Sequence, residues 1–521
     1  MIRPQSEEPP AVIAYFDSRT TAASDGRRGW PTPSLGGAPG TDNGGTDKLA
    51  ARVARDIERD ISRMRWPVGK VLGSESELRE RYQVSRAVLR EAIRLVEHHQ
   101  VAAMRRGPAG GLVVRAPDAG PATNAMVVFL EFVGTTAEHV LDARMLIEPL
   151  AVALAAERIS EANIPRLRGV LAEEVARGPG RDPQVRNQLH LVLAELSGNP
   201  VLQLFVEVLL RLTGRYARVV LDNLPEATHP ALTSSDKAHQ DLVEAVVAGD
   251  FARAEMYASQ HLKSFCEFLL TFQPENVGQA PPSTIWGSGA PGHTQDQKLA
   301  EVVARRIMAE ISDGGWPVGS VIGSETALLD RFEVSRAVLR EAVRLLEYHS
   351  VARMRRGPGG GLVVAKPDPS ASIDAMALYL DYQGIKIEHL RAVRERVELG
   401  CVDAVAARAA EPEVGRRLQA ALKVEAAVGM PHASEQPHIL HIEIAELSGN
   451  PVLALFFRVL TTLWARSPVP SSQSAEPDAE PTSDNVEASH RGVVEALLTG
   501  DAGLARHRMR RHLEAQPQWW Q

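Results

Sequence analysis

The chain has 521 residues, too long for a single hydrophobic core, and therefore indicates several domains. Its hydrophobic content of 44% and charged content of 24% are typical of soluble globular proteins. No apolar run approaches the roughly 18 residues of a membrane helix and the N-terminal residues lack a signal-peptide profile, so we expect a cytoplasmic protein without a membrane partner. Cys266 and Cys401 occupy unmatched positions and are predicted to be buried thiols, neither disulfide-bonded nor zinc-bound.

The net charge of −7 is unevenly distributed. Residues 48–115 contain 15 Lys and Arg against 8 Asp and Glu, whereas residues 298–365 contain 10 against 8. We therefore predict a basic field suited to phosphates in the first region and a weaker one in the second.

Residues 1–46 are rich in Gly, Pro, Ser and Thr and are predicted to be a disordered tail. A helix then begins at Lys48, with an apolar residue every four positions, and ends before Trp66 and Pro67 because proline lacks the amide donor. Residues 74–77, Ser-Glu-Ser-Glu, have the spacing of a capping box and predict a second helix. The equivalent position in a later repeat is Ala327, so its cap should be weaker.

A tandem duplication dominates the chain: residues 84–91, VSRAVLRE, return at 334–341, an offset of 250 positions. Ser85 is a suitable N-cap, and the apolar residues that follow recur at helical spacing. Arg86 and Arg90 fall on a different face. The pattern predicts a docked helix that presents arginines outward.

Two short predicted strands flank a glycine-rich tip that contains Arg106 and Gly107, and the same arrangement returns at Arg356 and Gly357. Three helices followed by such a hairpin predict winged helix-turn-helix domains over 47–116 and 297–366. Residues 124–272 and 374–517 have long helical patterns and predict all-α bundles. A Pro- and Gly-rich linker, 273–296, separates the two repeats. The predicted fold class is therefore mainly α, with two small β-hairpin wings.

Each predicted bundle contains three histidines with the same two spacings, 49 and 22 residues. Imidazoles from three helices that meet at one point suit Zn²⁺, Ni²⁺ or a similar divalent ion with an open coordination position. Alternatively, the histidines are hydrogen-bonded in a polar pocket without metal. The residues are His190, His239 and His261 in the first bundle and His441, His490 and His512 in the second.

Arg144 and Arg394 lie at equivalent places on the first long helix of each bundle, and Glu148 and Glu398 follow four residues later. A bidentate arginine suits the carboxylate of a small organic acid. An ion pair between positions i and i+4 on the same helix is the alternative.

Each half, over about 48–272 and 298–517, resembles the GntR family of bacterial transcription regulators, FadR subfamily, with a winged helix followed by an FCD-type effector domain. The resemblance implies that double-stranded DNA is a partner and that the contacting residues are Ser85, Arg86, Arg90, Arg106, Gly107, Ser335, Arg336, Arg340, Arg356 and Gly357. The metal-binding FCD subgroup also has an aspartate four residues before the first histidine. Here those positions hold Arg186 and Pro437, which should weaken metal binding. In the second half, His438 is a candidate substitute ligand.

These observations predict a repressor whose DNA affinity is controlled by a small organic acid and a divalent metal. One chain would supply two related recognition helices as a pseudo-dimer, or two chains would form a homodimer, with half-sites about one helical turn or a little less apart. An architectural DNA binder with vestigial pockets is an alternative. A metal-dependent hydrolase or lyase built on the three-histidine pockets is a further one, but we find no general base at motif spacing and no nucleophile motif.

Overall fold

The structure is a computed structural model of the whole chain. It describes residues 44–107, 110–117, 119–177, 183–222, 229–272, 295–348, 350–355, 357, 359–367, 369–428, 438–466 and 483–515. The predicted tail up to residue 43 and most of the predicted linker lie outside this part of the chain.

The described part of the first half consists of ten helices and two strands. In chain order these are α1 (Gly44–Arg63), α2 (Glu75–Tyr82), α3 (Arg86–His98), β1 (Ala102–Arg105), β2 (Gly111–Val114), α4 (Ala119–Phe132), α5 (Ala137–Arg158), α6 (Ile164–Arg177), α7 (Pro183–Leu196), α8 (Pro200–Asp222), α9 (His229–Val247) and α10 (Phe251–Thr271). We call α1 to β2 the first winged helix, α4 the first connecting helix and α5 to α10 the first helical domain.

The second half repeats this order. Its elements are α11 (Gln295–Asp313), β3 (Val321–Gly323), α12 (Glu325–Phe332), α13 (Arg336–Tyr348), β4 (Ala352–Arg355), β5 (Gly361–Val364), α14 (Pro369–Tyr382), α15 (Ile387–Ala406), α16 (Pro412–Val428), α17 (Ile439–Leu447), α18 (Pro451–Arg466), α19 (Ser483–Leu498) and α20 (Ala502–Ala515). Elements α11 to β5 form the second winged helix, and α14 is the second connecting helix. The predicted mainly α fold with small hairpin wings is confirmed.

The first winged helix forms around the apolar stripes predicted on α1 and α3. Ile57, Ile61, Leu89 and Val96 are fully buried in one hydrophobic cluster. That cluster also contains Leu378, which lies on α14 of the second half. The first winged helix therefore completes its core with a residue from the other half of the chain.

The predicted caps have the expected geometry. The Ser74 amide donates to Glu77 Oε2 at 2.7 Å, and the Glu77 amide donates back to Ser74 Oγ at 3.4 Å. In the second half the Ala327 amide donates to Ser324 Oγ at 3.2 Å, and alanine has no side chain with which to return the bond.

The wings are antiparallel hairpins, with Ala102 opposite Val114 in the first and Ala352 opposite Val364 in the second. In the second wing β3 adds a third strand beside β5. Gly111 has φ +148°, and a Cβ there would lie 2.6 Å from the carbonyl oxygen of Gly73, so the close approach of these backbones requires glycine.

In the first helical domain, α5 packs against α7, α8, α9 and α10 and so lies at its centre. Cys266 and Cys401 are free and buried, as predicted, and burial raises the pKa of the Cys266 thiol to about 12. None of the described helices combines the length and the apolar character that crossing a membrane would require.

The described residues divide into two compact units. One comprises 44–393 with 458–466 and includes both winged helices, both connecting helices and the first helical domain. The other comprises 394–457 and 483–515 and includes the three histidines of the second half.

Candidate recognition helices and metal centres

The recognition helix α3 begins at Arg86, directly after its N-cap Ser85, whose Oγ accepts a hydrogen bond from the Val88 amide at 3.3 Å. The side chains of Arg86 and Arg90 are 63% and 61% exposed. Because the apolar face of α3 is buried in the winged-helix core, these arginines point into solvent on one accessible face. This arrangement suits insertion into a DNA groove.

A carboxylate on the preceding helix holds both arginines. Arg86 Nε donates to Glu75 Oε1 at 2.8 Å and Arg90 Nε donates to the same oxygen at 3.1 Å. The hydrogen bond from Arg86 is the main reason that the pKa of Glu75 is lowered. The shared acceptor holds the two guanidinium groups side by side, with their Nη atoms available for other acceptors.

The second recognition helix begins with the same seven residues as α3 and has a longer ion pair. Arg336 is exposed, and Arg340 Nε lies 3.9 Å from Glu325 Oε1. Ser335 Oγ accepts from the Val338 amide at 3.3 Å, as its counterpart does in α3.

At the wing tips, Arg106, Gly107 and Gly357 are exposed, whereas Arg356 lies outside the described residues.

The first three predicted metal ligands meet in the first helical domain. His190 on α7, His239 on α9 and His261 on α10 each offer a nitrogen atom, and the three atoms lie within 4.8 Å of one another. His239 Nε2 and His261 Nε2 are 3.1 Å apart. The opposite ring nitrogens are hydrogen-bonded to carboxylates: His190 Nδ1 lies 2.7 Å from Glu148 Oε2, and His239 Nδ1 lies 2.7 Å from Glu174 Oε1.

The second set has the same arrangement on α17, α19 and α20. His490 Nε2 lies 3.2 Å from both His441 Nε2 and His512 Nε2. Glu398 Oε2 lies 2.5 Å from His441 Nδ1, and Glu425 Oε2 lies 2.8 Å from His490 Nδ1. All three histidines are buried. In each half, the structure therefore brings the three predicted histidines together.

Charge determines which ring nitrogens carry protons. Burial would raise the pKa of Glu148, but the positive charge of Arg144 and the interaction with His190 lower it to about 2. Against the same effect of burial, Arg394 and His441 lower the pKa of Glu398. Both carboxylates are thus ionised at neutral pH and accept hydrogen bonds only, so the Nδ1 atoms donate to them.

This tautomer leaves Nε2 of His190 and of His441 without a proton, free to accept a hydrogen bond or to bind a metal. Burial lowers the pKa of His441 and His512 below the usual value, which keeps both rings neutral at pH 7. Neutral imidazoles whose Nε2 atoms lie 3.1–3.2 Å apart can share an N–H···N hydrogen bond or bind a common cation. Three converging imidazole nitrogens, two of them on rings that carboxylates bind through Nδ1, are the donor set that Zn²⁺ and similar ions bind, so both sets fit a divalent metal.

Arg144 and Arg394 form the ion pairs that the sequence left as an alternative to effector binding. Arg144 Nη2 donates to Glu148 Oε2 at 3.2 Å, and its Nε donates to the other oxygen of the same carboxylate. Arg394 Nε donates to Glu398 Oε1 in the same way. Both arginines are 2% exposed. Each pair continues to a histidine, so the arginine helps to orient a ring of the triad.

The sequence predicts a weaker metal site because Arg186 and Pro437 stand where the subgroup has aspartate. Arg186 is on α7, and Pro437 lies outside the described residues. His438 directly precedes α17 with its ring 6.1 Å from that of His441, outside the group of converging nitrogens.

Sequence reasoning missed the outer carboxylates Glu174 and Glu425. A signal was present: each lies 65 residues before the histidine to which it is hydrogen-bonded, the same separation in both halves. The sequence marks Glu148 and Glu398 only as partners of the arginines, and the structure adds their bonds to His190 and His441.

Comparison with known families agrees with the duplication. The model described as "Bacterial regulatory proteins, gntR family" matches residues 49–110 and 299–362, and the FCD domain model matches 139–264 and 389–515.

Individual relatives match about one half of the chain. The Exu regulon transcriptional regulator of Escherichia coli K12 is 24% identical over 221 residues, which are 42% of this chain and 84% of the relative. The transcriptional regulator LutR of Bacillus subtilis is 26% identical over 218 residues, 40% of this chain and 95% of the relative. Among solved structures, a Streptococcus agalactiae GntR protein is 20% identical, with a TM-score of 0.31, and covers 42% of this chain and 99% of its own.

Exposed recognition helices together with effector-type helical domains define a DNA-binding transcriptional regulator controlled by a small-molecule ligand. The chain belongs to the GntR family of bacterial regulatory proteins and carries two gntR-type winged helices and two FCD domains in tandem, as in FadR-type regulators.

Proposed function

We propose that the chain is a repressor whose affinity for DNA depends on a divalent metal and a small organic acid in each FCD domain. The observation that carries this proposal is the convergence of three buried imidazole nitrogens in both halves, with ring nitrogens on the far side bonded to carboxylates. Zn²⁺ or Ni²⁺ would be held by His190, His239 and His261 and by His441, His490 and His512. The metal would supply a positive centre for an anionic ligand.

The donor set supports a carboxylate effector. Three neutral imidazoles leave a bound dication with its full charge and at least one open coordination position, which favours an anionic oxygen ligand. Arg144 and Arg394 would belong to the effector site indirectly. They bind Glu148 and Glu398, which in turn orient the histidines that would face the ligand. A direct bond from either arginine to the effector would require its ion pair to open.

The pockets favour a working site over a vestigial one. Keeping buried imidazoles and carboxylates inside a protein is costly unless each is paired, and both halves preserve the pairing. We also propose binding rather than turnover, since Glu148 and Glu174 are engaged by histidine and are poorly placed to act as general bases.

On DNA, Arg86 and Arg90 would contact base edges or flanking phosphates, and Ser85, Arg106 and Gly107 would contact the backbone and the minor groove. Ser335, Arg336, Arg340, Arg356 and Gly357 would act equivalently in the second half. One chain would supply both recognition helices as an intramolecular pseudo-dimer in the cytoplasm, where the DNA is. Contacts between the halves support this, including the bond from Asn199 Nδ2 to the His389 carbonyl oxygen at 3.0 Å.

Release from DNA would follow if the acid prefers an arrangement of winged helices that does not fit the operator, because a ligand shifts an equilibrium only by its difference in affinity for the two states.

A genomic footprint of the purified protein tests the proposal. We expect discrete protected sites whose occupancy changes when metal is chelated or when candidate organic acids are added. The matched variant is Arg86→Ala combined with Arg336→Ala, which should lose the selective sites. Occupancy that responds to neither metal nor any acid would indicate an architectural binder instead, and retained selectivity in the double variant would contradict the assigned recognition helices.

A further inference from the structure

Each connecting helix packs against the winged helix of the opposite half. Leu378 on α14 is 3% exposed inside the core of the first winged helix, and Tyr382 packs against the same cluster. The Trp66 indole nitrogen donates to Asp381 Oδ2 at 3.0 Å. The rings of Trp66 and Tyr382 meet edge to face with centroids 5.5 Å apart.

The first connecting helix makes the equivalent contact with the second winged helix. Phe132, at the C-terminal end of α4, meets Trp316 of the second winged helix edge to face with centroids 5.6 Å apart. Phe132 and Tyr382 are 250 positions apart, as are Trp66 and Trp316, so these are the same contact made twice in opposite directions. The interplanar angles, 78° and 72°, also agree. The two connecting helices, α4 and α14, pack against each other.

The first helical domain holds α4 firmly. Tyr216 on α8 donates its hydroxyl proton to the Thr135 carbonyl oxygen at 2.5 Å, immediately after α4 ends. Arg211, also on α8, donates to Asn124 Oδ1 on α4. Four residues separate α4 from α5, which carries Arg144 and Glu148 to the first histidine triad. A shift in the first helical domain therefore has to move α4, and with it the ring against Trp316.

We propose that Phe132 is a positioning residue for the second recognition helix, so that the first effector pocket controls the winged helix of the other half through α4. The winged helix that is adjacent in sequence to a pocket is then not the one that the pocket controls. This inference rests on the proposed function only for the identity of the pocket's ligand. The crossed packing stands on the aromatic pairs and the shared core.

Hydrogen exchange followed by mass spectrometry on the full chain tests the crossed packing with matched variants. Phe132→Ala should accelerate exchange in residues 336–348 by about tenfold, the worth of an aromatic pair, and leave residues 86–98 unchanged. Tyr382→Ala should do the reverse. Phe132→Tyr, which installs the residue that the second half uses, should change neither. Acceleration in the winged helix of the same half, or equally in both, would overturn the proposal.

The coupling is tested with Zn²⁺ as the probe on a chain that carries His490→Ala and His512→Ala, which leaves only the first triad intact. Zinc should change exchange in 336–348 more than in 86–98, and Phe132→Ala should abolish the difference. A response confined to 86–98, or no response in either helix when one zinc per chain is bound, would refute the coupling. Failure to bind zinc would instead refute the metal proposal, while the Phe132 and Tyr382 variants would still decide the crossed packing.

Discussion

The outer carboxylate Glu174 should set the metal affinity of the first triad. It is buried, and its Oε1 accepts from His239 Nδ1 at 2.7 Å, which makes the opposite nitrogen more basic. Removing such partners typically weakens metal binding about 10- to 100-fold, or about 1.4–2.8 kcal/mol. Glu174→Gln keeps an acceptor but loses the charge, so we expect about tenfold weaker Zn²⁺ binding. Glu174→Ala loses both and should approach about 100-fold.

The measurement is competition for Zn²⁺ against a chromophoric chelator, in a chain whose second triad is disabled by His490→Ala and His512→Ala. Glu173→Gln is the control, because that neighbour lies on the same helix with 71% of its side chain exposed. Circular dichroism establishes that each variant is folded. If Glu174→Ala binds zinc as tightly as its parent, Glu174 does not strengthen His239 as a metal ligand.

Three further outcomes are expected. Arg86→Ala should weaken binding to a selected operator duplex by about 1–3 kcal/mol in fluorescence anisotropy, and Arg94→Ala should cost less; equal losses would contradict the assignment of base contacts. Glu75→Gln should tighten duplex binding, by less than about fivefold because its ion pairs are exposed, since it frees both arginines; weaker binding would show that Glu75 orients them instead. Ser74→Ala should destabilise α2 by about 1 kcal/mol, measured by local hydrogen exchange, and more than Ser324→Ala destabilises α12, because only Ser74 belongs to a reciprocal cap. Equal effects on the two helices would rule out that reasoning.

Local features of the fold follow from the sequence because they depend on short spacings. The stripe of Leu89 and Val96, the cap at Ser74 and the N-cap at Ser85 each involve residues within two helical turns, and the structure has all of them. The histidine triads could be predicted from the sequence for a different reason: the duplication repeats their spacings, which singles out three residues from each half.

Contacts between elements that are distant in the sequence could not be predicted in this way. Trp66 and Asp381 are separated by 315 positions, and two nearly equivalent halves offer Trp66 two similar aromatic partners, Phe132 and Tyr382. Periodicity and composition are the same for packing within a half and packing across halves, so only the three-dimensional arrangement distinguishes them. Arg144 was ambiguous for a similar reason, because an arginine four residues before a glutamate suits either a ligand or an ion pair.

The leucine that the second half contributes to the first winged helix affects how the regulator responds to gene dosage. When paired recognition domains come from separate chains, the fraction of paired molecules falls on dilution. Here the residue that completes the core belongs to the same polypeptide, so in the proposed pseudo-dimer pairing is a unimolecular event. For this proposed pseudo-dimer, operator occupancy should rise in proportion to the number of chains rather than to its square.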